Sequence, residues 1–317
     1  MAPRVSVVIP ALNEATHIER CVRSVLAQEF AGGLEVLVVD GRSSDGTAEL
    51  ARRAGATIVD NPVGGIPAAM NRGLASASGS VLLRFDAHAE MPAGYVEACI
   101  RALEEESGAA SVGGWRDARG DGPWGQALGA ALASPLGVGH SLIWRRPLGD
   151  DGRRDVEHVP LGCFRVQALQ RVGGWREDLL TNEDFELDYR LRRSGGRVVF
   201  DPKIWSVYKP RESLPAIARQ YWRYGRWKAV VVRDVPRSIQ PRQLAPPVLL
   251  AVLALAAFPN PGRTLARVLL AGYGATLAAA SARSRAGWRT APVLATMHLA
   301  WGAGLVRGLG RRRKRRG

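Results

Sequence analysis

The sequence predicts an α/β domain, a mostly parallel sheet with helices on both faces, followed by an apolar helical region at its C-terminal end. Three observations carry this. The strand candidates of the first half are continuous β-branched runs, the mark of strands buried on both faces. Strand and helix alternate there throughout, the pattern of a parallel sheet. Beyond Arg242 the chain changes character: three apolar segments follow, punctuated by twelve Lys and Arg and no Asp or Glu.

Val5 to Ile9 (VSVVI) is the first strand, and Pro10 is expected to end it. Asn13-Glu14-Ala15-Thr16 forms a turn, with Thr16 capping a helix through about Gln28. Val36 to Val39 is a second buried strand ending in Asp40; in the GRSSDGT that follows, Ser44 or Asp45 caps a helix through Arg53. Thr57 to Val59 is a third strand, Ile66 to Ala77 a helix, and the run from Val81 a strand ending in Asp86. Residues 93–107 read as an amphipathic helix and Ala110 to Gly114 as a strand. Gly120 to Asp155, rich in Gly, Pro, Arg and Trp, reads as a long irregular segment of the kind that forms lids and binding loops. Val159 to Phe164 is a short strand, Val172 to Trp175 a tight turn, and TNEDFELDYRLRRSGG a helix starting at Thr181 or Asn182. Val198 to Asp201 is another strand, and Leu214 to Arg233 a long amphipathic helix.

The net charge of +15 is concentrated in the tail: residues 1 to 242 carry 32 basic and 29 acidic groups, the tail the other twelve basic ones. Basic groups interspersed among apolar segments fit an anionic membrane surface and argue against nucleic acid, which needs them on a folded face. Cys21, Cys99 and Cys163 are far apart and form no CxxC, so reduced thiols of a cytoplasmic domain are expected. The run Val5 to Leu12, broken by Pro10, is too short for a secretory signal.

The stretch with most chemistry is VLLRFDAH, Val81 to His88. On an extended chain Asp86 and His88 would lie on one side, about 6–7 Å apart, able to share a divalent metal. Acidic groups recur at strand ends, at Asp40 and Asp86, with Glu14 just after the first strand, and in a doubly wound sheet those ends line one crevice. Asp40 there can accept hydrogen bonds from a base or ribose. No GxGxxG follows the first strand and no GxxxxGK[ST] occurs, against a dinucleotide fold and a P-loop. Glu183 and Asp184 fall in the first turn of their helix, where the dipole favours carboxylates whether or not they do chemistry.

Taken together, VSVVIPALNEATHIERCVRSVL, VVDGRSSDGT and LLRFDAH resemble the nucleotide-sugar-binding half of family 2 glycosyltransferases, which have the GT-A fold. The resemblance implies that Pro10, Asn13, Glu14 and Asp40 grip the nucleotide, with Asp45 a further candidate that also serves as a helix cap. It implies that Asp86 and His88, in place of the family's D-x-D, hold a divalent metal and the donor diphosphate; imidazole suits Mn2+ better than Mg2+. It makes Asp184 the general base of an inverting transfer and Glu183 the neighbour that positions acceptor or helix, with crowding by Glu183 expected to raise the pKa of Asp184.

RYGRW, Arg223 to Trp227, matches the family's R-x-x-R-W, which implies that Arg223 or Arg226 faces phosphate and that Trp227 stacks on a sugar; an amphipathic helix along a bilayer has the same composition. The apolar segments run from about Leu244 to Phe258, Leu265 to Ala282 and Ala291 to Val306. A two-span hairpin with the basic loop Arg283 to Arg289 inside is self-consistent, the third segment lying at the cytoplasmic interface and GRRRKRRG binding anionic lipid.

The expected organisation is a GT-A domain over 1–233 (nucleotide-sugar half 1–90, acceptor and catalytic half 91–233), membrane-associated helices over 244–306 and a basic tail over 307–317. The layout most resembles bacterial membrane-associated transferases of the succinoglycan-biosynthesis glucosyltransferase type. That implies a cytoplasmic catalytic domain at the cell membrane, moving a hexose from a UDP-sugar to a lipid-linked or membrane-proximal saccharide. A non-catalytic nucleotide-sugar-binding scaffold is the alternative. A sugar-phosphate nucleotidyltransferase is disfavoured because PALNEAT lacks the Gly-rich basic loop.

Overall fold

The computed structural model describes residues 4–139, 141–147 and 152–310. The chain forms two compact units, one of residues 1–117 and 142–208, the other of 118–141 and 209–317. The long helix after Leu214, expected in the catalytic domain, therefore groups with the C-terminal helices.

The first unit opens with β1 (Val5–Ala11), α1 (Ile18–Leu26), β2 (Leu34–Asp40), α2 (Thr47–Arg53), β3 (Thr57–Asp60), α3 (Ile66–Ser76), β4 (Val81–Arg84), α4 (Tyr95–Glu105) and β5 (Ala109–Ala118). After α5 (Pro123–Ala133) and α6 (Pro135–Val138) of the second unit it resumes with β6 (Arg154–Asp155), β7 (Cys163–Arg165), α7 (Val166–Val172), α8 (Glu183–Arg193) and β8 (Arg197–Tyr208). Among the described residues the sheet has eight strands in the order β3-β2-β1-β4-β7-β5-β8-β6. β3, β2, β1 and β4 are parallel, and β7 runs antiparallel to both β4 and β5. The sheet is thus parallel where strands and helices alternate and mixed beyond.

Period-two alternation supplies both faces. Val5, Val7 and Ile9 of β1, Val36 and Val38 of β2 and Leu83 of β4 pack with Ile18, Val22 and Val25 of α1 and Val96 and Leu103 of α4. Val8, Leu37 and Leu82, from the same strands, pack on the other face with Met70 of α3, Leu169 of α7 and Leu187 and Leu191 of α8. At Gly73 a Cβ would overlap the Val8 side chain, so α3 needs glycine to reach β1. All three cysteines are buried and unpaired.

Several boundaries differ from the sequence reading. Pro10 does not end β1; it is in register with Val39. The ladder to β4 stops at Val8 and Arg84, so a residue without an N–H sits where β1 has a strand neighbour on one side only. His17, not Thr16, precedes α1, with no side-chain cap. The Gly120 to Asp155 stretch is not irregular throughout, since it contains α5, α6 and β6. α5 is Ala- and Leu-rich, and its N-terminal N–H groups are satisfied from a distance: the Glu212 carboxylate accepts from the N–H groups of Asp121, Gly122 and Gly125 at 2.9–3.1 Å.

The second unit adds α9 (Leu214–Asp234), α10 (Ala245–Ala257), α11 (Arg263–Arg283) and α12 (Thr290–Leu309). α12 is a packing helix: Val293, Leu294, Met297 and Leu305 are buried, and Gly304 and Gly308 let it approach the α9 backbone at Trp222 and Arg226. Among the described residues α11 is the one helix long and apolar enough to cross a membrane, which is weak evidence for a membrane region. α10, with 13 residues, covers about 20 Å and is among the shorter apolar helices. Of the basic tail, residues 311–317 lie outside the described residues.

Candidate active site

The carboxyl ends of β1, β2 and β4 carry the first cluster. Asn13, in the left-handed region at φ 55°, turns its amide back so that Oδ1 accepts from Ser44 N at 2.9 Å, while Asn13 N donates to Ser43 Oγ at 2.9 Å. Ser43 Oγ in turn donates to Asp40 Oδ1 at 2.6 Å, and Ser43 N to Asp40 Oδ2 at 3.0 Å. Asp40 is buried but not unsatisfied, and its carboxylate keeps lone pairs beyond those that Ser43 occupies. Asp45 accepts from Thr47 at 2.5 Å (Oγ1) and 3.1 Å (N) and from Ala15 N at 3.0 Å. These bonds, those from Thr47 foremost, hold its carboxyl below the ordinary aspartate value. Its shown role is to tie the two loops together at the start of α2. Pro10 lies within β1, and Leu12, just past the strand's end, is exposed.

β4 ends at Arg84, two residues before Asp86, and Ala89 N donates to Asp86 O at 3.0 Å. Asp86 and His88 therefore sit in a tight turn and not on the extended chain that the alternation assumed. His88 Nδ1 lies 3.3 Å from Glu14 Oε1. The Glu14 contact raises the His88 pKa, assisted by the charge of Asp86, against the opposing effect of burial. Asp86 Oδ2 accepts from Arg116 Nη2 at 3.0 Å, and Oδ1 is 3.8 Å from Arg84 Nη2. Burial works against ionisation of Asp86, but the Arg116 and Arg84 charges outweigh it and hold the carboxyl below its ordinary value.

A metal can be tested against this donor set. Among the described residues no three His, Cys, Asp or Glu side chains form a metal-holding group. A carboxylate and an imidazole are nevertheless an oxygen and a nitrogen donor of the kind Mn2+ accepts, the other positions falling to phosphate and water. With His88 Nδ1 facing Glu14, Nε2 is the ring nitrogen that His88 would offer a metal. The residues fit.

The second cluster is the start of α8. Asn182 precedes it in the left-handed region at φ 65°, which turns Glu183 and Asp184 back toward β4. Arg84, whose side chain is 8% exposed, donates from Nη1 to Glu183 Oε1 at 3.1 Å and to Asp184 Oδ2. Trp175 Nε1 donates to the other Asp184 oxygen at 3.1 Å. One guanidinium thus faces Asp86 on one side and the Glu183–Asp184 pair on the other. Crowding acts on Glu183: burial, then the Asp184 charge, push its carboxyl up, while Arg84 pulls it down. One turn further, the buried Asp188 accepts from Val159 N at 3.1 Å and pairs with His158 Nδ1 at 2.8 Å.

Residues 6–169 match the family model for glycosyl transferase family 2. The chain belongs to that family. A model for glycosyl transferase family 21 matches residues 161–304, from just before β7 into α12. The chain is 36% identical to a succinoglycan biosynthesis protein, ExoA, of Rhizobium meliloti, over 96% of this chain and 94% of that one. It is 25% identical to a dolichyl N-acetyl-glucosaminyl phosphate diacetamido-dideoxy-glucuronosyltransferase of Methanococcus voltae, over 72% of this chain and 74% of that one. A mannosyltransferase from Pyrobaculum calidifontis, solved with GDP-mannose and Mn2+, superposes with a TM-score of 0.67 at 22% identity, covering 98% of this chain and 88% of that one, which confirms the GT-A fold. This family 2 glycosyltransferase thus gathers Asn13, Glu14, Asp40, Asp45, Asp86 and His88 at the carboxyl ends of its strands.

Arg223 and Arg226 are exposed on α9 in the second unit, Trp227 is half-buried, and the intervening Gly225 faces α12. Sequence reasoning passed over Arg84, Arg116, Trp175 and the His158–Asp188 pair. Arg84 had a signal, an arginine inside an apolar strand; Arg116 lies thirty positions from Asp86 and had none, and Trp175 lies nine positions from Asp184 across a turn whose path the sequence does not give.

Proposed function

We propose that this glycosyltransferase is an inverting enzyme that moves a hexose from a UDP-sugar to a lipid-linked saccharide in bacterial polysaccharide synthesis. Its catalytic domain would be cytoplasmic, at the cell membrane. The observation that carries the reading is Arg84, which joins the carboxylate expected at the donor diphosphate, Asp86, to the carboxylates expected at the acceptor, Glu183 and Asp184. The name of the Rhizobium relative supports the polysaccharide assignment, and the apolar α11 a membrane-proximal acceptor.

In this mechanism the acceptor hydroxyl gives its proton to Asp184, whose carboxylate plane is set by Arg84 and Trp175. The new C–O bond forms on the face of the anomeric carbon opposite the breaking C–O bond, and nucleoside diphosphate departs. A divalent metal held by Asp86 and His88 would neutralise charge on that diphosphate. Glu183, buried and with a raised pKa, positions Arg84 and the helix start. Asn13, Asp40 and Asp45 hold the nucleotide loops, and Arg223, Arg226 and Trp227 are proposed phosphate and sugar contacts.

The test is nucleotide release from a panel of UDP-sugars and GDP-mannose, with Mn2+ or Mg2+ and membrane lipid extract as acceptor. Asp184→Asn should lower turnover about 10²–10⁴-fold with nucleotide binding intact, the scale of general-base catalysis. Undiminished turnover in Asp184→Asn would remove the base from the scheme; nucleotide binding with no turnover on any donor would favour the scaffold.

A further inference from the structure

We propose that Arg116 of β5 is a leaving-group residue, the guanidinium that takes the donor's diphosphate as the sugar departs. The inference rests on the transferase reading above and names a residue that neither motif nor family match assigns.

Asp86 carries two guanidinium neighbours, but they are not equivalent. Arg84 is also committed to Glu183 and Asp184. Arg116 makes a 3.0 Å bond to Asp86 through Nη2, while its buried Nε has no hydrogen-bond partner. Two aromatic rings flank it. The guanidinium carbon lies 4.8 Å from the Tyr208 ring centre and 5.9 Å from that of Trp144, and those two rings meet edge to face at 5.0 Å. Ring faces hold a cation in place without saturating its N–H donors. Arg116 is thus a preoriented cation, its side chain 12% exposed, with hydrogen-bonding capacity in reserve beside the carboxylate expected at the diphosphate.

A planar guanidinium binds phosphate oxygens through parallel N–H bonds, and charge-assisted bonds of this kind are the strong ones. When the anomeric C–O bond breaks, its electron pair stays on the diphosphate oxygen. A cation held ready in a partly closed site stabilises that charge more than water does. The stack on Tyr208 and Trp144 keeps the side chain at its post while it changes anionic partner from Asp86 to diphosphate.

The experiment is calorimetric titration of the full-length protein in detergent, in EDTA, with UDP, UMP and inorganic pyrophosphate, on wild type, Arg116→Gln and Arg116→Lys. Wild type should prefer UDP to UMP and bind pyrophosphate. Arg116→Gln should weaken UDP about 10- to 100-fold, the scale of hydrogen bonds to charged groups, and abolish pyrophosphate binding while UMP stays within about twofold. Unchanged UMP binding also certifies the fold of the variant. Arg116→Lys should recover part of the loss. An Arg116 that merely neutralises Asp86 would leave the UDP-to-UMP ratio in EDTA unmoved, and that result overturns the proposal alone. Failure of wild type to bind any of the three probes, in EDTA and again with Mn2+ in place of EDTA, overturns the donor-site reading with it.

Discussion

Replacing Arg84 by Met tests the centre of the site. The side chain is 8% exposed and its charge faces Glu183, Asp184 and Asp86. Met keeps the aliphatic length within the strand but leaves three carboxylates without their shared cation. Removing one partner of a buried ion pair costs about 3–5 kcal/mol. At about 2–4 °C per kcal/mol for a chain of this size class, the melting temperature should fall by about 6–20 °C at pH 8. The loss should depend on pH with a definite sign. Glu183 has its pKa raised by burial and by Asp184, so the folded state holds its proton more tightly than the unfolded state, and the contribution is lost as pH rises from the ordinary 4.5 through the raised value. Without Arg84 that pKa climbs further, so the deficit of the variant should grow from pH 5 to pH 8. Arg84→Lys, which keeps the charge but not the fork, should fall between the two. Differential scanning calorimetry across this pH range, with nucleotide release alongside, is the assay. A variant melting within about 2 °C of wild type at pH 8, or a deficit that shrinks with pH, would refute the idea that Arg84 holds these carboxylates together.

Two further outcomes follow from the same physics. Burial opposes charging of His158, yet its bond to Asp188 and that carboxylate's charge outweigh it and raise the imidazole pKa above 6.5. The pair should therefore stabilise fully below the ordinary value and lose its contribution as pH rises through the raised one; Asp188→Asn should flatten the wild-type decline in melting temperature between pH 6.5 and 8.5, and an unaltered slope would place the proton elsewhere. At Gly225 of α9 a Cβ would overlap the Trp301 carbonyl of α12. Gly225→Ala should cost about 1–3 kcal/mol by overpacking and lower the yield of folded protein from detergent, whereas substitution at Gly272, with nothing near its Cβ position, should not.

The positions of the strands and helices of the first unit were legible because each depends on local order: β-branched runs buried on both faces, helical periodicity, and acidic residues where strands stop. The parallel strands of the first half and the carboxylates Asp40 and Asp86 near their ends followed from that pattern, whereas the roles proposed for Glu183 and Asp184 came from the family resemblance. Several features depended on turns and cross-loop bonds that the strand and helix patterns do not express. The Asp86–His88 pair lies in a turn because a backbone bond to Ala89 competes with strand extension. Asp40 is satisfied by Ser43, and the loops after β1 and β2 are knitted by Asn13 and Asp45. The apolar segments after Arg242 looked equivalent in composition, yet α12 buries its apolar side with α9 through glycines while α11 leaves its own exposed. Hydropathy measures how much apolar surface a segment has; only its partners in the fold decide where that surface goes. The sequence by itself determined the parallel strands of the first half and the carboxylates near their ends. The tertiary structure decided which cations hold those carboxylates, because Arg84 meets Glu183 and Asp184 about a hundred positions away and Arg116 meets Asp86 across thirty, separations that only a folded sheet closes.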